Sequence, residues 1–213
     1  MSDIKPQRMN LAELVQRARG LANRGDRCIL GIVGAPGAGK STVAEALIAE
    51  LGSSAALVSM DGYHLANEVL DDLGRRSRKG APDTFDVDGY VALLHRLRDQ
   101  QESVIYAPRF HRQLEEPIGS CIPVHPETPL VITEGNYLLL PDEPWGGIRA
   151  LLDEAWFLKL DESLRQERLI ARHVEFGREP EAARAWALGT DLKNAELVSR
   201  TAGAADLIVA VND

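Results

Sequence analysis

Two hydrophobic rhythms run along the chain. Leu11, Leu14, Val15, Ala18, Leu21 and Ala22 recur at intervals of three and four, and Asn10 with Glu13 is spaced for a capping box, so residues 1–26 predict an amino-terminal helix. "RCILGIVG", from Arg27, is instead a short unbroken apolar run closed by glycine. Helical spacing then returns at Val43, Ala44, Leu47, Ile48 and Leu51, and Gly52 ends it. "AALVSM", "LVIT", "AWFLKL" and "ADLIVAV" are further short runs without a polar alternate face, the pattern of strands covered on both sides. Apolar runs and helical stripes in this succession predict an α/β architecture of three layers, with a five-stranded parallel sheet between helices. Two irregular stretches interrupt it. "DDLGRRSRKGAPD", Asp71 to Asp83, reads as a loop, and the proline-rich "APRFHRQLEEPIGSCIPVHPETP", from Ala107, predicts a small hairpin over the sheet edge.

A length of 213 residues suits a single domain. No apolar stretch approaches the ~20 residues that cross a bilayer, so no membrane insertion is expected. The first 25 residues lack the uncharged core of a secretory signal. Cys28 and Cys121 lie far apart with no metal-ligand spacing, which predicts reduced thiols and a cytoplasmic protein. The net charge of -8 argues against nucleic acid as the main ligand and leaves room for a local basic pocket that takes a small phosphate compound.

The densest chemical signal is "GAPGAGKS". Gly34, Ala35, Pro36, Gly37, Ala38, Gly39, Lys40 and Ser41 fill the spacing G-x-x-x-x-G-K-[ST] between an apolar run and a helix. Glycines let successive N–H groups turn inward on phosphate oxygens, and the helix amino terminus adds partial positive charge. Lys40 is then within reach of the terminal phosphates, Ser41 is a ligand for Mg2+, and Thr42 follows in the first helical turn as a further nucleotide contact. Two carboxylates end apolar runs, Asp61 after "LVSM" and Glu134 after "LVIT", and strand ends of α/β sheets face the ligand crevice. Asp61 is the candidate base for an acceptor hydroxyl, and Glu134 the candidate for the Mg2+ shell. Asn136 either bonds the acceptor or completes a turn.

"GAPGAGKS", "SMDGYH", "RKGAPDTFDVDGY", "VIYAPRFHR" and "VITEGNYLLL", in this order, resemble the P-loop kinases of the uridine kinase, pantothenate kinase and phosphoribulokinase superfamily. More narrowly the chain looks like bacterial nucleoside-kinase-like proteins labelled fructose transport system kinase or fructokinase. The resemblance spans Arg27 to Val211. It implies a P-loop NTPase fold with a helical lid, ATP and Mg2+ as cofactors, and a small-molecule hydroxyl as acceptor. By position it implies Tyr63, His64, Lys79, Tyr106, Arg109 and His111 as acceptor-pocket residues, beside Asp61. A sugar such as fructose is the first acceptor to expect, with a nucleoside or pantothenate as the alternative. A homodimer is compatible with the resemblance.

"DESLRQERLIARHVEFGRE" resembles the lid of such kinases over residues 161–180. Asp161 suits an N-cap, and Arg165, Arg168 and Arg172 fall on one helical face, with Arg178 beyond Gly177. Arg172 and Arg168 are the expected catalytic arginines, with a solvated, charge-balanced helix as the alternative. Trp186 and Asn194 fit either an adenine contact or core packing. A regulatory ATP-binding module without phosphoryl transfer is the remaining class of function, and the carboxylate at Asp61 speaks against it.

Overall fold

The computed structural model describes residues 4–175, 177 and 179–211. In chain order the elements are β1 (Gln7–Arg8), α1 (Leu11–Ala22), β2 (Cys28–Val33), α2 (Lys40–Leu51), β3 (Ala55–Leu57), α3 (Asn67–Asp72), α4 (Val87–Arg98), β4 (Ile105–His111), β5 (Glu116–Val124) and β6 (Leu130–Gly135). β7 (Glu154–Lys159), α5 (Glu162–Glu175), α6 (Pro180–Trp186), α7 (Leu192–Ser199) and β8 (Leu207–Ala210) complete it. The main sheet is parallel, in the order β1-β8-β7-β2-β6-β3, and β4 pairs with β5 as a separate antiparallel hairpin.

Every residue of β2 and β6 is buried, the expected fate of short apolar runs at the centre of a parallel sheet. Their side chains divide by alternation. Cys28, Leu30 and Ile32 join α1 and α2 in one core, while Ile29 and Val33 join α4 and the base of the hairpin in the other. Gly31 lies on the second face where Leu152 crosses it. A Cβ built there would stand 2.6 Å from a terminal methyl of Leu152, so any larger residue must displace that side chain.

β2 and β3 are joined through α2 but are not neighbours, because β6 pairs with both of them. After β6 the chain continues on the other side of β2, where β7 pairs. The sheet order thus reverses around β2 and β6, and the crevice beyond their carboxyl ends is where ligands of open α/β sheets bind. The loop after β2 carries the glycine-rich motif, Glu134 stands near the carboxyl end of β6 and Asn136 follows it.

The sheet has six strands rather than five. The extra one is β1, two residues that pair with β8 at the edge, too short for any hydrophobic period to announce. It also divides the amino-terminal segment, expected as one helix, into strand and helix. The capping box is present: the Asn10 N–H reaches Glu13 Oε2 at 2.8 Å and the Glu13 N–H reaches Asn10 Oδ1 at 3.0 Å. The stretch Asp71 to Asp83 is mostly loop, but its first two residues close α3.

Candidate active site

The glycine loop turns between β2 and α2. Gly39 precedes the helix at φ +90° and supplies no side-chain cap, so the first N–H groups of α2 are left for a ligand. Gly37, at φ +85°, is pressed against α5, and Arg165 donates from Nη1 to the Pro36 carbonyl at 2.8 Å. Buried Arg165 is itself braced by the Glu162 carboxylate at 2.8 and 2.6 Å. Asp161 caps α5 as expected, its Oδ1 accepting from the N–H groups of Ser163 and Leu164 at 2.9 and 3.3 Å.

Lys40 is buried at the mouth of α2 and donates from Nζ to Asn136 Oδ1 at 2.7 Å and to the Ala35 carbonyl at 3.3 Å. Burial pulls its pKa down to about 8, an effect opposed by the Glu134 and Asp61 carboxylates. Glu134 responds in the opposite sense. Burial, and then the charge of Asp61, raise its pKa, while Lys40 and the Ser59 hydroxyl lower it. In the free protein this acid and this base are both pushed towards neutrality, and a charged ligand reverses the push on the lysine.

Ser59 ties the Glu134 carboxylate to the backbone of Asp61. Its hydroxyl donates to Glu134 Oε1 at 2.5 Å, and its Oγ accepts the Asp61 N–H at 3.1 Å. Asp61 stands on a 3-10 turn after β3, partly exposed, with Arg112 Nη2 3.5 Å from its Oδ2. His64 Nδ1 lies 2.8 Å from the Asp61 carbonyl. A carbonyl only accepts, so Nδ1 carries the proton and Nε2 is left as an acceptor. Burial lowers the His64 pKa, which favours this neutral form.

These groups open on one cavity of about 370 Å³. Of the residues expected to bind nucleotide, metal or acceptor, Pro36, Lys40, Ser41, Asp61, His64, Lys79, Glu134, Asn136 and Arg172 line it. Thr42 is exposed outside it. Tyr63 packs on Tyr90 with ring centroids 5.3 Å apart, and Tyr106 is 57% exposed. Arg109 and His111 also lie off the lining, the first exposed and the second with its buried Nδ1 unpartnered among the described residues. A register shift between Ala107 and Arg109 explains the exchange. There β5 carries two residues more than β4, and beyond it Phe110 and Arg112 reach the cavity instead.

The lid differs in the same way. Arg172 lines the cavity, and burial followed by the charge of Arg112 lowers its pKa. Arg168 is exposed and does not line it, whereas Arg165 serves the loop from beneath. Arg178 lies outside the described residues. His173 and Asp191, paired at 2.7 Å, join α5 to the turn before α7, and Trp186 and Asn194 line the cavity beside them. Ser59, Phe85, Phe110, Arg112, Arg76, Glu115, His173 and Asp191 are among the residues that sequence reasoning missed.

Ser41, Ser59, Asp61 and Glu134 offer hard oxygen donors. No group of three or more His, Cys, Asp or Glu that could hold a metal occurs among the described residues. That donor set fits Mg2+, which keeps several waters and takes one or two carboxylates together with substrate phosphates.

The chain was compared with known proteins. No protein-family model matches it. An Aspergillus versicolor protein named an ATP-dependent kinase-like protein is 37% identical over 146 residues, 64% of this chain and 85% of that one. A Schizosaccharomyces pombe protein provisionally named a uridine kinase is 34% identical over 174 residues, 78% of this chain and 74% of that one. The crystal structure of a Silicibacter sp. TM1040 protein, provisionally named a fructose transport system kinase, superposes with a TM-score of 0.84 at 36% identity, covering 94% of this chain and 98% of that one. Fold, phosphate loop and relatives together define an ATP-dependent kinase. The chain belongs to the uridine-kinase-like family of P-loop kinases. Among the described residues no helix is long and apolar enough to cross a membrane.

Proposed function

We propose that this kinase transfers the γ-phosphoryl group of ATP to a hydroxyl of a small polyhydroxylated molecule in the cytoplasm, with a sugar as the first acceptor class and a nucleoside or pantothenate as the alternative. The observation that carries the reading is the convergence of Lys40, Asp61 and Glu134 on one cavity, with Ser59 linking the Glu134 carboxylate to the Asp61 backbone. The cytoplasm rests on the unpaired thiols of Cys28 and Cys121.

In this reading the loop amides and Lys40 hold the triphosphate, and Arg172 steadies charge on the moving group. Asp61 accepts the proton of the acceptor hydroxyl. The freed oxygen bonds to the γ-phosphorus as the bond to the bridging oxygen breaks, and ADP leaves. His64 Nε2 offers an acceptor for a second hydroxyl and so orients the molecule. Ser41 and Glu134 are the groups for Mg2+, which when bound neutralises phosphate charge. ADP release measured with sugars, nucleosides and pantothenate tests the reading. Acceptor-dependent ADP release that Lys40→Ala abolishes is the expected result, and ATP binding unaffected by Lys40→Ala contradicts it.

A further inference from the structure

The cavity carries an aromatic shelf with cations gathered on it. Lys79 Nζ is 5.2 Å from the centroid of the Phe110 ring, and Arg112 Cζ is 5.9 Å from the same centroid. Lys79 is held there by Asn67 Oδ1 at 2.6 Å and by the Glu115 carbonyl. Arg76 lines the same wall. Arg75 and Arg78, on either side of it in sequence, both pair with Asp83, whereas Arg76 makes no ion pair among the described residues.

Carboxylates also stand near these cations: burial lowers the Lys79 pKa, and Glu116 and Glu115 both oppose it by favouring the charged form. Glu116 accepts the Asn67 N–H at 2.9 Å, and Glu115 is exposed at the rim. Asp61 pairs with Arg112 at 3.5 Å, but an acceptor hydroxyl must claim that carboxylate. Arg112 then has lost its ion partner. A chain of net charge -8 thus places Arg76, Lys79 and Arg112, together with Arg172, on one cavity. A neutral polyol leaves them facing hydroxyls, whereas an anion meets both the planar forks and the ammonium with charge-assisted hydrogen bonds.

We propose that the acceptor is itself an anion, a small polyhydroxylated molecule bearing a phosphate monoester or a carboxylate, and that Arg76, Lys79 and Arg112 receive that group on the Phe110 shelf while Asp61 meets the hydroxyl. The proposal rests on the kinase reading above and narrows its acceptor class. It also gives Arg112 a switching contact: the incoming anion draws the guanidinium from Asp61 and leaves that carboxylate to accept the proton. His64 feels Lys79 and Arg112, Lys40 feels Arg172 and Arg112, and Arg112 stands at the join.

Two measurements test it. In the first, ADP release is followed with matched pairs: fructose against its monophosphates, and a sugar against its sugar acid. The anionic member of a pair is expected to have at least ten-fold higher kcat/KM, and whichever pair responds names phosphate or carboxylate. Arg76→Gln and Lys79→Gln are expected to raise KM for the anionic acceptor ten-fold or more, with kcat moving less than three-fold. Neutral members that match or exceed their anionic partners overturn the proposal, as do variants that lose the same factor on both. The second is independent of turnover. Inorganic phosphate is titrated into protein saturated with a non-hydrolysable ATP analogue and Mg2+. Salt-sensitive binding that Lys79→Gln weakens supports the anion site, and no binding overturns it. Failure of the analogue itself to bind refutes the kinase reading instead, and phosphate binding lost in Lys79→Gln but kept in Lys40→Ala still supports the anion site.

Discussion

Lys40 Nζ donates to Asn136 Oδ1 across 2.7 Å, linking the phosphate loop after β2 to the residue that follows β6. An ammonium has three donors. Asn136 and the Ala35 carbonyl take two of them, and the third is left for a phosphate oxygen. Asn136 is therefore the residue that aims the lysine. Hydrogen bonds to charged groups contribute about 1.5–3 kcal/mol, so Asn136→Ala is expected to weaken ATP binding roughly ten-fold or more, read by calorimetry. Unchanged affinity makes the contact a placeholder that the nucleotide displaces.

Asp61 is expected to act after binding. Asp61→Asn keeps the shape and the backbone bond to Ser59 but removes the proton acceptor, and it leaves Arg112 without its ion partner. ATP affinity should hold within a few-fold while kcat falls by orders of magnitude. Wild-type turnover in the variant removes Asp61 from the chemistry.

Much of this was legible in the chain because the relevant physics is local. The unbroken apolar run at Cys28–Val33, the Asn10 capping box and the spacing Gly34 to Ser41 each specify a strand, a helix start and a loop within a few residues. β1 was invisible because two residues have no period. In the hairpin, position within the resemblance implied Arg109 and His111, whereas Phe110 and Arg112 line the cavity; the register shift between Ala107 and Arg109 depends on the partner strand and cannot be read from β4 alone. On α5, helical spacing alone does not say which of three arginines points at the loop. Arg165 is decided by a carbonyl on Pro36, 129 positions away in sequence, and Arg172 by the cavity beyond it. Ser59 carried no signal at all, since its value lies in joining the backbone of Asp61 to the Glu134 carboxylate, 75 positions away from Ser59 in sequence.

Proton linkage at Lys40 predicts how nucleotide affinity varies with pH. Burial holds its pKa at about 8 in the free protein, and phosphate oxygens in the complex raise it again. A group whose pKa rises on binding contributes its full affinity below the free value and loses it as pH climbs through that value. ATP affinity should therefore be level below pH 8 and fall by up to about ten-fold per unit above it. Calorimetric Kd values at pH 7, 8 and 9 with Mg2+ held constant check this, and a flat series contradicts it.

The approach of α5 to the phosphate loop makes its own prediction. Gly37 has φ +85°, and a Cβ added there would meet the Arg165 carbonyl oxygen at 2.9 Å and the Leu169 Cβ at 3.4 Å. Gly37→Ala must strain the backbone and also push away the helix that carries Arg172. Strain of this kind costs about 1–3 kcal/mol, and in a domain of this size each kcal/mol lowers Tm by about 2–4 °C. Gly25 isolates the first effect, because at φ +97° its added Cβ would touch nothing within 4 Å. Gly25→Ala should lower Tm while leaving ATP affinity unchanged. Gly37→Ala should lower Tm and also weaken ATP binding ten-fold or more, because α5 cannot pack on the loop and keep Arg172 in the cavity. Equal ATP affinity in the two variants removes α5 from nucleotide binding.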